Sequence, residues 1–327
     1  MIRHRLLPSL LLALAVAAIL LWPPRVDPEL TGFGSAVYVD AVPVAQAGFV
    51  SSGGITLDGA WELRGDRPDF HSLSALAIDP QGNFVGATDR GLGVRWPMPG
   101  HGRAGTMWPL DRRADGTGNR VDAEAIVLRD DGGLWYAMEN QNVIVRLGPD
   151  GRLVDRAKPL EMQKWTALRG PEAMARLPDG RMLVLGEGYE RGRDRTLPGL
   201  VFAGDPADGA EPFLFHLSMA EGMRPVDAAP LADGRLLILG RRFRLPFGFE
   251  SALYLLDTAK LRPAGRVEAR RIGHFGGSGL SDNFEGLAIQ QSADGGVTAW
   301  VVSDNNEAQV LQKTLLLKLH IGKGALR

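Results

Sequence analysis

Five stretches of the chain share one hydropathy pattern: an apolar run, a polar turn containing glycine, and a second apolar run. They are Ser74 to Asp89, Glu124 to Glu139, Glu172 to Glu187, Val226 to Arg241 and Glu285 to Asp304. Each reads as a β-hairpin, because short apolar runs bounded by turn residues are too brief for helices. In the second, Ile126, Leu128, Trp135 and Ala137 fall on one face and Val127, Tyr136 and Met138 on the other, so both faces are apolar. A sheet wetted on one side would alternate apolar with polar. Two buried faces predict sheets stacked on sheets, and the hairpins start roughly 50 to 60 residues apart, a spacing that belongs to propeller blades. Ile144 to Leu147, Leu200 to Phe202 and Ala252 to Leu256 supply third strands. Ile55 to Leu63 and Leu315 to Leu319 predict a further blade closed by the two ends of the chain, which makes six. The expected fold is therefore an all-β propeller. No long amphipathic helical stretches separate the strands, as a parallel α/β fold would require.

Charge adds a second register to this pattern. Glu124 and Glu139 flank Asp131-Gly132, Glu172 and Glu187 flank Asp179-Gly180, and Glu285 and Asp304 flank Asp294-Gly295, each pair equidistant from its dipeptide. The same symmetry pairs Ser74 with Asp89 and Val226 with Arg241, and Asp227 stands beside the fourth starting position. Turn chemistry alone explains the Asp-Gly dipeptides, since glycine adopts positive φ freely and aspartate tolerates it. It does not explain the flanking acids. If each dipeptide is a two-residue loop, the acids lie directly opposite one another, and like charges so placed destabilise a sheet. Something positive is expected between them, either arginine and lysine partners or a hard divalent cation such as Ca²⁺, which favours several oxygen ligands. The candidate catalytic groups are Glu124, Glu172 and Glu285 with Arg90, Arg241, Arg242 and Lys313. The candidate cation ligands are Asp89, Glu139, Glu187, Asp304 and Asn305.

Composition narrows the picture. The 42 glycines and 21 prolines suit a turn-rich β fold, and the absence of cysteine excludes disulfides, thiol nucleophiles and cysteine metal sites. A net charge of −1 with no basic stripe gives no sign of nucleic-acid binding. His71, His101, His216 and His274 show no zinc-ligand spacing, and no P-loop, dinucleotide fingerprint or serine nucleophile elbow occurs. At the N-terminus, Arg3, His4 and Arg5 precede an apolar run from Leu6 to Trp22, the pattern of an export signal or an uncleaved membrane anchor. The expected organisation is a signal or anchor over 1–24, a linker over 25–49 and one domain over 50–327. Export predicts a periplasmic or secreted protein.

The local motifs gain meaning in combination. Thr88-Asp89-Arg90-Gly91, Asp122-Ala123-Glu124-Ala125-Ile126, the run from Leu236 to Phe243 and Asn283-Phe284-Glu285-Gly286-Leu287-Ala288 occur in order, followed by Val301 to Asn306 and Gln312 to Leu317. From about Ser72 to Leu319 the chain resembles the bacterial phytase-like family described as having esterase-like activity. That resemblance implies an exported β-propeller that hydrolyses a phosphate or carboxylate ester. A non-catalytic propeller binding a ligand or protein partner remains the alternative, because propellers host both.

Overall fold

The structure, a computed structural model, describes residues 34–110, 121–166, 169–188, 195–244, 248–277, 279–292, 295–306 and 312–327. The expected signal or anchor, part of the linker and Asp294 lie outside the described residues. Among the described residues no helix is long and apolar enough to cross a membrane.

Strands account for the architecture. The first two strands to be placed in a blade, β4 (Leu73–Ile78) and β5 (Asn83–Thr88), form the first predicted hairpin and continue into β6 (Leu92–Pro97) and β7 (Ala104–Pro109). The second blade is β8 (Ala123–Leu128), β9 (Leu134–Met138), β10 (Val143–Leu147) and β11 (Leu153–Ala157). The third is β12 (Pro171–Arg176), β13 (Met182–Gly186), β14 (Leu197–Phe202) and β15 (Pro212–Ser218), with β19 (Arg266–Glu268) added in parallel. The fourth is β16 (Arg224–Pro230), β17 (Leu236–Arg244), β18 (Gly248–Leu256) and β20 (Arg270–Gly277), edged by β2 (Phe49–Ser51). The fifth is β21 (Asn283–Gln291), β22 (Val297–Asp304) and β23 (Thr314–Ile321), completed by β3 (Ile55–Gly65) from the start of the domain.

The innermost strands β4, β8, β12, β16 and β21 each pack against the next, and β21 returns to β4. Among the described residues the ring therefore has five blades, not six. The segments expected to build a sixth blade, β3 and β23, instead pair with each other and extend the fifth hairpin. Outside this seam, β1 (Ser35–Pro43) pairs with β3 of the fifth blade and with β7 of the first, tying the two outer edges together.

Apolar faces on both sides of each blade are accounted for by five hydrophobic clusters, one in every gap between neighbours. At the seam, Phe84 of the first blade meets Trp300 of the fifth edge-on with ring centroids 5.1 Å apart, a favourable arrangement for aromatic quadrupoles. Trp135 and Trp300, equivalent positions in the repeat, are both buried.

Two local features correct the expected register. Each hairpin loop holds three residues, with the backbone N–H of Asp79, Arg129, Leu177, Leu231 and Ser292 donating to the carbonyl four positions on. The third loop residue is a glycine at positive φ, as at Gly132 (φ 87°) and Gly180 (φ 89°), the geometry of a turn ending in a left-handed bulge. At the opposite end each innermost strand carries a second bulge, at Ser74, Glu124, Glu172, Val226 and Glu285. Ala123 pairs with Met138 and Ala125 with Ala137, which leaves Glu124 with no cross-strand mate. The acids are thus not directly opposed. In the second, third and fifth blades the bulge takes an acid out of the ladder and re-aims it, as bulges beside functional sites commonly do.

Leu317 lies fully buried in the seam, paired with Val301 and Ala60. Leu317→Ala is expected to cost about 2–5 kcal/mol, the usual range for truncating a buried leucine. A urea unfolding midpoint unchanged from the parent would contradict a seam that holds the ring.

Candidate functional site

All five innermost strands begin at one end of the ring, and the second strand of each hairpin ends there. This rim gathers the bulge residues Ser74, Glu124, Glu172, Val226 and Glu285 with their partners in the repeat, Asp89, Glu139, Glu187, Arg241 and Asp304. Carboxylate oxygens of Asp122, Glu124 and Glu139 lie within 4.8 Å of one another, and so do those of Glu139, Glu172 and Glu187. Glu139 belongs to both groups.

Local structure explains this convergence. Glu139 opens a short 3-10 turn that ends at Asn142, whose left-handed backbone (φ 52°) returns its N–H to the Glu139 carbonyl. The Asn142 amide donates to the Trp165 carbonyl at 2.9 Å, which fixes the approach to the third blade. There the Gly170 N–H donates to Glu139 Oε1 at 3.3 Å. A Cβ at Gly170 would stand 2.6 Å from Asn142 Oδ1 and 2.9 Å from Glu139 Cγ, so a side chain at this position would push Glu139 away.

The fourth and fifth blades supply a different half. Arg241 Nη1 donates to both Glu285 and Asn283 Oδ1. The Asn283 amide in turn faces Glu285 Oε1 at 3.0 Å, Asp304 Oδ2 at 3.2 Å and Asn306 Oδ1 at 3.2 Å. Arg224 lies 3.5 Å from Glu187. The buried Asn305 accepts the Ser72 N–H at 3.2 Å. Beneath the rim, the buried Asp227 carboxylate accepts N–H groups from Ala228 and Leu287, which pins β16 to β21.

Burial and mutual repulsion push these carboxyls upward. Glu124 is held well above the ordinary carboxylate range by burial first and then by Glu172, Glu285, Asp122 and Glu139. Glu172 is raised well above it too, by burial and then by Glu187, Glu139 and Glu285, with Arg241 opposing. Asp304 is raised by burial, Glu285 and Asp89. Burial raises Glu139 against the pull of the Gly170 N–H, and Glu285 against that of Arg241. The turn end behaves oppositely: Arg129 and the Gly133 N–H bring Asp131 down to about 2.

The structure brings Glu124, Glu139, Glu172, Glu187, Glu285, Asp304 and Arg241 together, and Asp89 joins them through its electrostatic contact with Asp304. Arg90 follows Asp89 where the chain leaves β5 and is partly buried. Two predicted cations belong elsewhere. Arg242 alternates to the other face of β17 and pairs with Glu250 at 2.5 Å, and Lys313 reaches outward to Glu62 at 3.0 Å. Asp122, Asn283 and Arg224 were not anticipated. Each stands two positions before its blade's bulge residue, so the repeat register already contained the signal.

A sequence model of the phytase-like family, described as "Esterase-like activity of phytase", matches residues 68–307. The chain belongs to this family. No curated protein matches it by sequence. Among solved structures, a gluconolactonase from Xanthomonas campestris is 14% identical with a TM-score of 0.44, covering 90% of this chain and 100% of that one. Virginiamycin B lyase from Staphylococcus aureus is 10% identical with a TM-score of 0.42, covering 87% and 99%.

Carboxyls raised in the folded state hold protons that the unfolded chain has released. Without a cation, folding stability is therefore fully present below the ordinary carboxylate range and is lost as pH rises through the raised values. With a chelator present, the melting temperature of this phytase-like protein is expected to fall as pH rises above the ordinary carboxylate range. Asp131, Asp179 and Asp233 are lowered by their neighbouring arginines and act in the opposite sense. A flat or rising profile would show that the rim acids are not protonated together.

Proposed function

We propose that the acidic rim hydrolyses a phosphate or carboxylate ester with the help of a divalent cation. The observation that carries this reading is the pair of overlapping carboxylate triads facing the Arg241–Glu285 pair across one rim. Family membership supports the ester class.

The donor set suits a hard cation. All its ligands are carboxylate oxygens, the chemistry that favours Ca²⁺, Mg²⁺ or Mn²⁺ over softer metals. Asp122, Glu124, Glu139, Glu172 and Glu187 would hold it. When bound, such an ion polarises an ester oxygen and acidifies a water. The remaining work falls to the chain's own groups. Arg241, oriented by Asn283, presents a planar guanidinium to the oxyanion that develops on the substrate. Burial, with Glu285 and Asp89 beside it, holds the Asp304 carboxyl well above the ordinary carboxylate range, and on the Arg241 side it would serve as proton donor to the leaving oxygen. Asp304 is thereby reassigned from cation ligand to proton donor, while Asn305 is engaged by the Ser72 N–H.

Export fits this chemistry, given the basic start Arg3-His4-Arg5 and the apolar run that follows it. The partner is a small-molecule ester.

A panel of nitrophenyl phosphates and nitrophenyl carboxylates, assayed with Ca²⁺ and with chelator, tests the reading. Turnover is expected with the ion and is lost on chelation. Glu172→Gln should lower kcat by about a hundredfold while leaving or raising the cation-free melting temperature, because it removes a repelling charge. Arg241→Met should lower kcat by a similar factor, of the order seen when a transition-state donor is removed. No turnover on either ester class, with cation binding intact, would replace catalysis by ligand binding.

A further inference from the structure

One hairpin rises past the rim. In the first three blades the second strand stops just before its rim residue, at Thr88, Met138 and Gly186. In the fourth, β17 runs on beyond Arg241 through Arg242, Phe243 and Arg244, and β18 returns from Gly248 in register with it. Alternation along β17 puts Leu239, Arg241 and Phe243 on one face. Leu239 packs in the cluster between the fourth and fifth blades, and Arg241 reaches Glu285 on the fifth. Phe243 and its cross-strand mate Phe249 continue that face beyond the rim. Their rings meet edge-on with centroids 5.2 Å apart, and the Arg241 guanidinium lies 5.7 Å from the Phe249 ring centroid. The other face of the arm is braced by Glu250, which accepts from both Arg242 and Arg244.

Packing does not account for these aromatics. Phe243 is 55% exposed and Phe249 is half-buried. The wetted face of an antiparallel arm ordinarily carries polar residues. Phe249 also walls a cavity of about 320 Å³ together with Val50 and Phe275, with Arg242, Glu250 and Ser281 in its polar lining. That volume falls in the range of small-molecule sites, about 300–1,000 Å³. Val50, on β2, is exposed like Phe243. Open apolar side chains thus gather around Phe249, beside the guanidinium.

We propose that Phe243 and Phe249 form the specificity wall of the site, holding an aromatic ring of the substrate while Arg241 faces its phosphoryl or carboxyl oxygens. The preferred substrate is then an aryl ester and not a phosphorylated polyol. This rests on the reading of Arg241 as the group that meets the substrate, and it names the substrate class for that site. A ring laid against Phe249 sheds water and gains face or edge contacts with both phenylalanines. A polyol in the same place would lose hydration against two rings that offer its hydroxyls no conventional hydrogen-bond partner.

Calorimetric titration of the full chain with phenylphosphonate and with methylphosphonate, in the presence of Ca²⁺, provides the test, because the P–C bond keeps either from being turned over. Phenylphosphonate is expected to bind more tightly than methylphosphonate by about tenfold. Phe243→Ala and Phe249→Ala should each weaken phenylphosphonate by about fivefold and leave methylphosphonate unchanged, while Phe249→Tyr keeps the preference. Tyr38→Ala, which removes an exposed aromatic from the strap β1, should also keep it. Arg241→Met should weaken both phosphonates alike. Circular dichroism melting of each variant separates lost binding from lost folding. Equal affinities in the parent, or a preference that survives both alanine substitutions, overturn the aromatic wall even if the ester panel is positive. A phenyl preference abolished by Phe249→Ala, with no turnover of any ester, would instead leave the wall standing and remove the hydrolase reading. No binding of either phosphonate overturns the proposal outright.

Discussion

A blade apolar on both faces has no stable existence beside water, and this requirement governs the whole molecule. Each of the five hydrophobic clusters is made by two neighbouring blades, so no blade is covered until its neighbours are in place. A row of such sheets must close on itself. Closure is made by pairing β3, near the start of the described chain, with β23, near its end. The rim, its acids and their spacing all depend on that ring, because carboxylates from different blades meet only when the innermost strands are held side by side.

Much of this was legible in the sequence, and the failures are instructive. Hairpins announce themselves through apolar runs and glycine turns, and all five were found at their true positions. The count of blades was not legible, because strands pair by edge and hydropathy does not say which edge. Leu315 to Leu319 looks alike whether it begins a new blade or extends an existing one. The mirror symmetry of the acids was real but was read one step too simply. Three-residue loops and a bulge at every innermost strand shift the ladder, so Glu124 and Glu139 meet through a bulge and not across a rung. Arg242 shows the limit of proximity in sequence: one residue beyond Arg241, it lies on the other face of the strand and serves Glu250. Asp122 and Asn283 were missed because neither belongs to the mirror pairs, although both stand two positions before the bulge acid of their blade.

The rim runs against the stability of the fold that carries it. Elsewhere, carboxylates are satisfied by the usual means: Asp131, Asp179 and Asp233 each cap the turn they sit in and pair with an adjacent arginine. At the rim, acids crowd acids and burial raises their affinity for protons. A chain that needed only a propeller would place neutral side chains at these positions, as Ser74 and Val226 show is possible in two of the five blades. The asymmetry among blades is itself informative, since the second and third carry the dense acid groups while the fourth supplies Arg224 and Arg241. Regions that sacrifice stability in this way are where function is expected to reside.

The seam between β3 and β23 also orders events in time. Their paired residues stand roughly 250 positions apart, so the contact that locks the ring has the greatest loop-closure cost of any ladder in the molecule. During synthesis β3 emerges early with β1 on one edge, and its other edge stays open while four blades form, until β23 arrives. Completion of the last strands thus acts as a latch. A chain stopped short of Thr314 would leave the facing edges of β22 and β3 unpaired, and those edges, not its core, would mark it for aggregation or degradation.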